Sequence, residues 1–245
     1  MPRQARQRSE SGYLHLIVRG IGRQAIFEER EDYAFYLSIL RRFSAETEIA
    51  VCAYCLMENH VHLLVYDAQN RASVMMKKLG VSYSHYFNQK YARSGHLFQD
   101  RYLSETVEDE AYLLTVFRYI LNNPRKAGIC SAEDYEWSSY RLYSAPATFV
   151  DTRPFQELLG EGARYAAFIA ADNDDKCLDC DLLPRGDVWA RKVIQDCLNA
   201  QNGTALQDFD RQARDAALRQ LKEKGLTVRQ IERLTGISRN IVQRA

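Results

Sequence analysis

Two histidines, His60 and His62, flank a single valine in the segment from Asn59 to Val65. The segment is rich in β-formers, and successive side chains of a strand point to opposite faces. The two imidazoles should therefore lie side by side on one face of a strand. Two adjacent imidazole nitrogens on a rigid sheet suit a divalent cation. The pair by itself is equally compatible with two strand histidines that bind nothing.

A tyrosine and an asparagine, Tyr119 and Asn123, lie four residues apart near the end of a helix predicted over residues 108–122. Residues at this spacing share one helix face. Pro124 biases Asn123 away from helical dihedral angles, so the direction of the Asn123 side chain stays open. The chain has fifteen tyrosines, and a packing role for Tyr119 is the simpler interpretation of the helix alone.

The elements that must position these residues follow the order strand, helix, strand, strand, helix, short strand, helix. Strands are predicted over residues 13–19, 49–56, 60–66 and 102–105, and helices over residues 31–43, 74–91 and 108–122. This order predicts an α+β fold with a ferredoxin-like antiparallel sheet and helices packed on it. A mainly helical C-terminal region follows, with helices predicted over residues 155–170, 188–200 and 205–224.

The composition is that of a globular protein without a membrane segment. The chain has 245 residues, of which 46% are hydrophobic and 27% are charged. Its longest apolar runs, such as residues 51–57, are too short to cross a bilayer. No signal peptide is predicted at the polar, arginine-bearing N-terminus. The expected location is the cytoplasm.

The net charge of +1 hides two basic segments separated by an acidic one. Residues 71–103 carry six Lys and Arg against one acid, and residues 211–245 carry nine against three. Residues 129–187 carry five against twelve. Two basic segments are compatible with two nucleic-acid contact surfaces, and equally with solvated helix faces.

Basic residues alternate with aromatic residues between Lys77 and Arg93, a pattern suited to single-stranded nucleic acid, in which bases stack on rings. Tyr83, Phe87 and Tyr91 are spaced to lie on one helix face and are expected in the core. The cations are expected to contact phosphates. The predicted DNA contacts in this half of the chain are Lys77, Lys78, Lys90, Arg93 and Arg101.

Residues 226–244 have the pattern of a helix-turn-helix. Thr227 is placed to cap a first helix, Gly236 to make the turn and Ser238 to cap a second helix. The expected core residues are Ile231, Leu234, Ile237, Ile241 and Val242. The pattern resembles the helix-turn-helices of bacterial transcription regulators and replication initiators, which implies duplex DNA as a partner. The residues that would face the major groove are Arg239, Asn240, Gln243 and Arg244.

Three motifs occur in a characteristic order: HVHLL at residues 60–64, GHLFQDRY at residues 95–102 and YILNNP at residues 119–124. Together they resemble the REP-associated tyrosine transposases, a bacterial branch of the single-tyrosine HUH transposases. The resemblance covers about residues 10–145. It implies the HUH nuclease fold, which is of the ferredoxin-like kind predicted above.

The resemblance also implies a set of site residues. Tyr119 corresponds to the nucleophile, and His60, His62 and Asn123 correspond to the ligands of Mg²⁺ or Mn²⁺. Attack by the tyrosine on single-stranded DNA gives a 5′-phosphotyrosine and a free 3′-OH, and the stored bond energy allows rejoining. The implied partners are hairpins of repetitive extragenic palindromes on the bacterial nucleoid. Relatives act as monomers or homodimers, and the sequence names no general base for Tyr119.

The sequence suggests three parts: a transposase domain over residues 10–145, a helical linker over residues 146–204 and a helix-turn-helix module over residues 205–245. Three alternatives to the nuclease remain. One is a catalytically silent DNA-binding regulator derived from a transposase. A replication initiator of the wider HUH superfamily normally sits beside a helicase, and no GxxxxGK[ST] loop occurs here. A zinc hydrolase lacks a carboxylate third ligand at a suitable spacing.

Overall fold

A computed structural model of the chain describes residues 7–144, 148–160, 162–179, 187–199 and 203–245. The chain divides into two compact units. The first comprises Met1–Gly20 and Ala25–Cys180, and the second comprises Ile21–Gln24 and Asp181–Ala245. The boundary predicted at residue 146 lies outside the described residues, and the division into domain, linker and module stays a prediction.

The first unit is built on an antiparallel sheet of four strands: β1 (Tyr13–Arg19), β2 (Ala50–Met57), β3 (His60–Tyr66) and β4 (Leu103–Thr106). Their order across the sheet is β2-β3-β1-β4. This is the strand order of a split βαβ fold. The predicted α+β class with a ferredoxin-like sheet is confirmed, including the short fourth strand.

The helices of this unit begin with α1 (Arg30–Thr47), α2 (Ala72–Lys90) and α3 (Glu110–Leu121), followed by the short α4 (Asn123–Lys126). The side chain of Asp109 caps α3 by accepting a hydrogen bond of 2.7 Å from the backbone N–H of Tyr112. Helix α1 packs against α2 and β2, whereas α3 packs against β2 and β3. The end of α3 therefore lies over the strand that carries the two histidines.

The fully buried carboxylate of Asp32 joins α1 to α2. It accepts hydrogen bonds from Lys90 Nζ at 2.7 Å, Tyr86 Oη at 2.9 Å and Tyr91 Oη at 2.7 Å. Two backbone N–H groups at the start of α1 also donate to it. Burial opposes ionisation, but the hydrogen bonds from Lys90, the Glu29 backbone and Tyr91 outweigh it and lower the pKa of Asp32 to about 2.

Replacing Asp32 with asparagine is expected to destabilise the fold by about 2–3 kcal/mol at pH 7, because partly buried Lys90 loses its charged, fully buried partner. The pKa of Asp32 is lowered on folding, so its contribution is complete above pH 3.8 and is lost as the pH falls towards 2. Urea unfolding at pH 7 and pH 3 measures this. Exposed Glu31, substituted by glutamine, is the control and should change stability by less than about 0.5 kcal/mol. Equal effects of both substitutions would contradict the prediction.

The single helix predicted over residues 155–170 is two helices, α5 (Arg153–Leu159) and α6 (Ala163–Ala170). The prediction was wrong because Gly160 and Gly162 adopt positive φ angles of 72° and 61°, which an α-helix cannot continue through. Both helices contribute to the core that covers the sheet, through Phe155, Leu159, Tyr165 and Ile169.

The second unit contains α7 (Asp187–Leu198), α8 (Arg211–Glu223), α9 (Val228–Thr235) and α10 (Arg239–Arg244), with its own apolar core. The helix predicted over residues 205–224 is interrupted at Asp210, whose carboxylate accepts a hydrogen bond from the N–H of Ala213 and starts α8. Within the described ranges, every helix is too short or too polar to cross a membrane.

Helices α9 and α10 lie where the sequence pattern predicts two helices, with two differences in detail. Thr227 caps α9 in a capping box, and Gly236 ends it in the left-handed conformation. Ser238 precedes α10 as expected, but its side chain makes no capping bond, and the Glu232 carboxylate accepts from the N–H of Arg239 instead. Ile241, expected in the core, is 36% exposed because the short α10 turns the neighbouring Val242 inward.

Candidate active site

The two histidines of β3 share one face of the sheet, as strand alternation requires. Their ring centroids are 5.0 Å apart, with an angle of 82° between the ring planes. His62 is fully buried, whereas His60, directly after the turn between β2 and β3, is half-buried. A metal ion would reach the pair from the His60 side.

Hydrogen bonds set the tautomer of His60. The side-chain oxygen of Asn59 lies 2.7 Å from His60 Nδ1. An amide oxygen only accepts hydrogen bonds, so His60 Nδ1 carries the proton of this contact, and in the neutral tautomer with that proton the lone pair is on Nε2. This is the protonation pattern of a histidine that ligates through Nε2.

A third histidine, His15 on β1, fixes the orientation of His62. His15 Nε2 lies 3.0 Å from His62 Nδ1, and both rings are buried. On the far side, His15 Nδ1 lies 3.6 Å from a carboxylate oxygen of Glu105, its partner across β1 and β4. That distance is too long for a good hydrogen bond, but the carboxylate still favours a proton on His15 Nδ1. His15 Nε2 then accepts from His62 Nδ1, which leaves the lone pair of His62 on Nε2.

The remaining nitrogen of His62 has no hydrogen-bond partner within the part of the chain that the structure describes. His62 Nε2 is buried and unsatisfied. Burial, together with repulsion between a protonated His62 and any positive charge on His60, His15 or Lys126, holds the pKa of His62 well below 6.5. Burial also lowers the pKa of His15, against the opposing effect of Glu105. The His62 and His15 rings are therefore neutral at pH 7, the state in which an imidazole binds a cation.

Tyr119, on α3, packs directly against this histidine face. Its ring centroid lies 5.8 Å from that of His62 and 6.2 Å from that of His15. The side chain is only 4% exposed, and its hydroxyl donates a hydrogen bond of 2.6 Å to Asp179 Oδ2. The ammonium of Lys126 lies 4.1 Å from the centre of the Tyr119 ring. The structure thus brings the predicted nucleophile and the histidine pair together.

Asn123, the third predicted ligand, begins α4 instead of turning away from helical geometry. Pro124 follows at the first turn, where a missing N–H costs nothing. The Asn123 side-chain nitrogen donates to the backbone oxygen of Tyr119 at 3.0 Å, so a ligand role rests on its amide oxygen. No group of three or more His, Cys, Asp or Glu side chains among the described residues is arranged to hold a metal.

Residues 172–179, which we call the acidic strap, contact the site and were missed by the sequence reasoning. Arg118 on α3 makes two hydrogen bonds of 2.7 and 2.8 Å to the carboxylate of Asp175. The backbone N–H of Leu178 donates to Glu105, the partner of His15, at 3.2 Å. The one sequence signal in this region was the excess of acidic residues over residues 129–187, which did not predict a contact with the site.

The cations predicted to contact DNA in the first unit have different surroundings. Lys78 pairs with Glu46 at 2.8 Å, and Lys90 pairs with Asp32 and with Glu29 at 2.9 Å. The charge of Lys90 is thus balanced by two carboxylates within the fold. The other predicted contacts in this unit are exposed Lys77 and Arg101 and partly exposed Arg93.

In the second unit, the four polar residues predicted to face a major groove all lie on α10. Each is exposed: Arg239, Asn240, Gln243 and Arg244. Their exposure is compatible with the predicted contact with duplex DNA.

Residues 8–123 match the family model described as "Transposase IS200 like". This part of the chain is therefore similar to the IS200-like transposases. The resemblance predicted from the three motifs is confirmed at this level. The matched residues include His60, His62, Tyr119 and Asn123 and end before the acidic strap.

Among solved structures, a REP-associated tyrosine transposase bound to a REP hairpin matches with a TM-score of 0.51 and 13% sequence identity, covering 73% of this chain and 100% of that chain. At this identity the likeness concerns the fold. A putative transposase from Deinococcus radiodurans matches with a TM-score of 0.35 and 21% identity, covering 49% of this chain and 97% of that chain. No curated protein matches this chain.

Proposed function

We propose that the chain is a metal-dependent endonuclease and strand transferase for single-stranded DNA that acts through a 5′-phosphotyrosine. One observation carries the proposal: the Tyr119 ring packs 5.8 Å from His62, on the sheet face that His62 shares with His60. A phenol beside two imidazoles combines a nucleophile with a cation site.

The histidine pair fits a divalent cation, Mg²⁺ or Mn²⁺. His62 Nε2 is buried without a hydrogen-bond partner in the described structure, and Asn59 holds His60 in the tautomer that leaves Nε2 to ligate. The proposed third ligand is the amide oxygen of Asn123. A cation bound there would polarise a non-bridging oxygen of the scissile phosphate.

The reaction we propose for Tyr119 is a reversible exchange of phosphodiester bonds. Tyr119 Oη attacks phosphorus, the bond from phosphorus to the 3′ oxygen breaks, and the DNA leaves with a free 3′-OH. The 5′ end stays linked to the tyrosine. A 3′-OH that later attacks this linkage displaces the tyrosine and reseals a strand, so no external energy source is needed.

The proposed substrate is a single-stranded DNA hairpin of a repetitive extragenic palindrome. The REP-associated tyrosine transposase of similar fold has a REP hairpin bound. In this chain the exposed cations Lys77 and Arg101 are available for phosphates. The α10 residues are proposed to bind duplex DNA in a major groove.

The contact between His15 and His62 predicts a measurable role for a residue outside the ligand set. Replacing His15 with phenylalanine fills the same space but removes the partner of His62 Nδ1. We expect the affinity for Mn²⁺ to fall about 10–100-fold, the usual cost of losing such a partner. Isothermal titration measures the affinity, and exposed His85, substituted by phenylalanine, is the control. Unchanged Mn²⁺ affinity in the His15 variant would refute the role.

The proposed function is tested by covalent capture. The protein is incubated with a labelled single-stranded hairpin from the host's own palindromic repeats, with Mn²⁺, with Mg²⁺ or with EDTA, and separated on a denaturing gel. A shifted band that requires the metal and is removed by nuclease identifies a covalent complex. Mass spectrometry of the linked peptide should place the nucleotide on Tyr119.

A silent DNA-binding regulator is the second candidate, because the Tyr119 hydroxyl is covered and bonded to Asp179. Tight hairpin binding without any covalent band, with either metal, would favour the regulator over the nuclease.

A further inference from the structure

The Tyr119 hydroxyl is hydrogen-bonded to a carboxylate in the structure. Tyr119 Oη donates to Asp179 Oδ2 across 2.6 Å, the length of a strong hydrogen bond to a carboxylate. Asp179 lies outside the residues that match the transposase family model. The attack described above requires that this proton leave, and Asp179 is the carboxylate in contact with the reacting oxygen.

Asp179 is held in place by the rest of the acidic strap. Four residues earlier, the carboxylate of Asp175 makes the paired hydrogen bonds to Arg118, one residue before Tyr119. Lys126 Nζ donates to the backbone oxygen of Asp175 at 3.1 Å. Leu178, directly before Asp179, donates its N–H to Glu105 on β4. The strap is thus anchored to α3, α4 and the sheet around the nucleophile.

We propose that Asp179 is a catalytic residue that accepts the phenolic proton of Tyr119 during attack on phosphorus. The inference rests on the proposed function. As the bond from Oη to phosphorus forms, the O–H bond breaks and its proton passes to the Asp179 carboxylate. The bond from phosphorus to the 3′ oxygen breaks, and the departing alkoxide takes up a proton from water, which Asp179 replaces by releasing the proton it received. In the reverse reaction the 3′-OH gives its proton to water, Asp179 takes up a proton from water, and the tyrosine oxygen recovers that proton from Asp179.

The order of these events follows from proton affinities. A free phenol has a pKa of about 10 and an aspartic acid about 3.9, so Asp179 does not deprotonate Tyr119 before attack. Once the phenolic oxygen bonds to phosphorus, it loses its basicity and the proton moves to the carboxylate. The ammonium of Lys126, 4.1 Å from the ring centre, stabilises negative charge that develops on the phenol. General-base catalysis of this kind contributes about 10²–10⁴-fold.

The test compares two substitutions in the same strap, Asp179→Asn and Asp175→Asn. Asparagine at 179 can still accept a hydrogen bond from Tyr119 but accepts no proton, whereas asparagine at 175 weakens the anchor to Arg118 and keeps the base. Single-turnover adduct formation is measured on the Mn²⁺-loaded full chain with saturating hairpin. We expect Asp179→Asn to be at least about 10²-fold slower, with unchanged hairpin affinity in a gel-shift assay. Asp175→Asn should be slowed much less.

Each other outcome overturns the inference in a distinguishable way. If Asp179→Asn forms the adduct as fast as wild type, Asp179 is not the base. If it forms the adduct faster, the strap covers Tyr119 and inhibits it. Equal losses in both variants assign the effect to strap anchoring. Wild-type protein that forms no adduct refutes the proposed function itself.

A measurement that needs no catalysis tests the contact separately. The ¹³Cζ resonance of Tyr119, assigned from its absence in the Tyr119→Phe spectrum, should shift on Asp179→Asn and stay in place on Asp175→Asn. No shift with Asp179→Asn would overturn the contact in solution.

Discussion

Replacing Tyr119 with phenylalanine is expected to lower the yield of covalent complex with hairpin DNA by at least about 10³-fold, because the change removes the atom that attacks phosphorus. The substitution deletes a single oxygen. The ring keeps its packing against His62 and His15, so the fold and the histidine pair should persist. The measurement is the yield of covalent complex at fixed protein, hairpin and Mn²⁺, with hairpin affinity measured in parallel.

The matched control is Tyr112→Phe. Tyr112 lies on α3 two turns before Tyr119, and burial together with the nearby Glu105 carboxylate raises the pKa of its phenol. This variant therefore also removes one partly buried hydroxyl from the same helix. We expect its adduct yield to stay within about tenfold of wild type, since Glu105 keeps its contacts with His15 and with the Leu178 N–H in this variant. A covalent band that survives Tyr119→Phe and disappears in Tyr112→Phe would show that the wrong tyrosine was chosen.

The histidine pair and its strand were predictable because their signal is local. Strand alternation requires only neighbouring residues, and His60 and His62 share a face in the structure as that rule demands. The sheet order followed from the succession of strands and helices, each of which has its own short-range pattern. Tyr119 and its position at the end of α3 came from a motif, since helical spacing alone favoured a packing role.

The groups that surround the pair were not predictable, because they depend on register and on distant segments. His15 meets His62 only through the pairing of β1 with β3, and Glu105 meets His15 only through the pairing of β1 with β4. Asp179 reaches Tyr119 from a segment without regular structure, sixty residues further along the chain. Such a segment has no periodicity from which a position can be inferred.

Charge counts alone also do not show which partner an individual charged residue has. Lys90 was predicted to contact phosphates, but its ammonium lies 2.7 Å from the buried carboxylate of Asp32 and 2.9 Å from Glu29. No function was predicted for residues 155–200, yet Asp175 and Asp179 accept hydrogen bonds from the arginine and the tyrosine at the end of α3. A formal charge says nothing of whether its partner is solvent, DNA or a neighbouring side chain.

Replacing His62 with glutamine should have the second largest effect, a fall of at least about 10²-fold in metal-dependent adduct formation. Loss of a metal ligand should exceed the 10–100-fold cost of losing a ligand's hydrogen-bond partner. Glutamine is polar and can still hydrogen-bond to His15, so His15 keeps a partner. The substitution removes His62 Nε2, the buried nitrogen proposed to bind the metal. The variant should bind Mn²⁺ weakly in isothermal titration and bind the hairpin normally in EDTA.

The matched control for this prediction is His85→Gln, which changes an exposed histidine on α2 in the same way. Its Mn²⁺ affinity and adduct rate should equal those of wild type. The decisive comparison is between metal binding and catalysis in the His62 variant, since both should fall together if His62 acts through the cation. Full metal affinity with a lost adduct would mean that His62 positions Tyr119 instead of a metal ion, and full activity would remove the histidine pair from the mechanism.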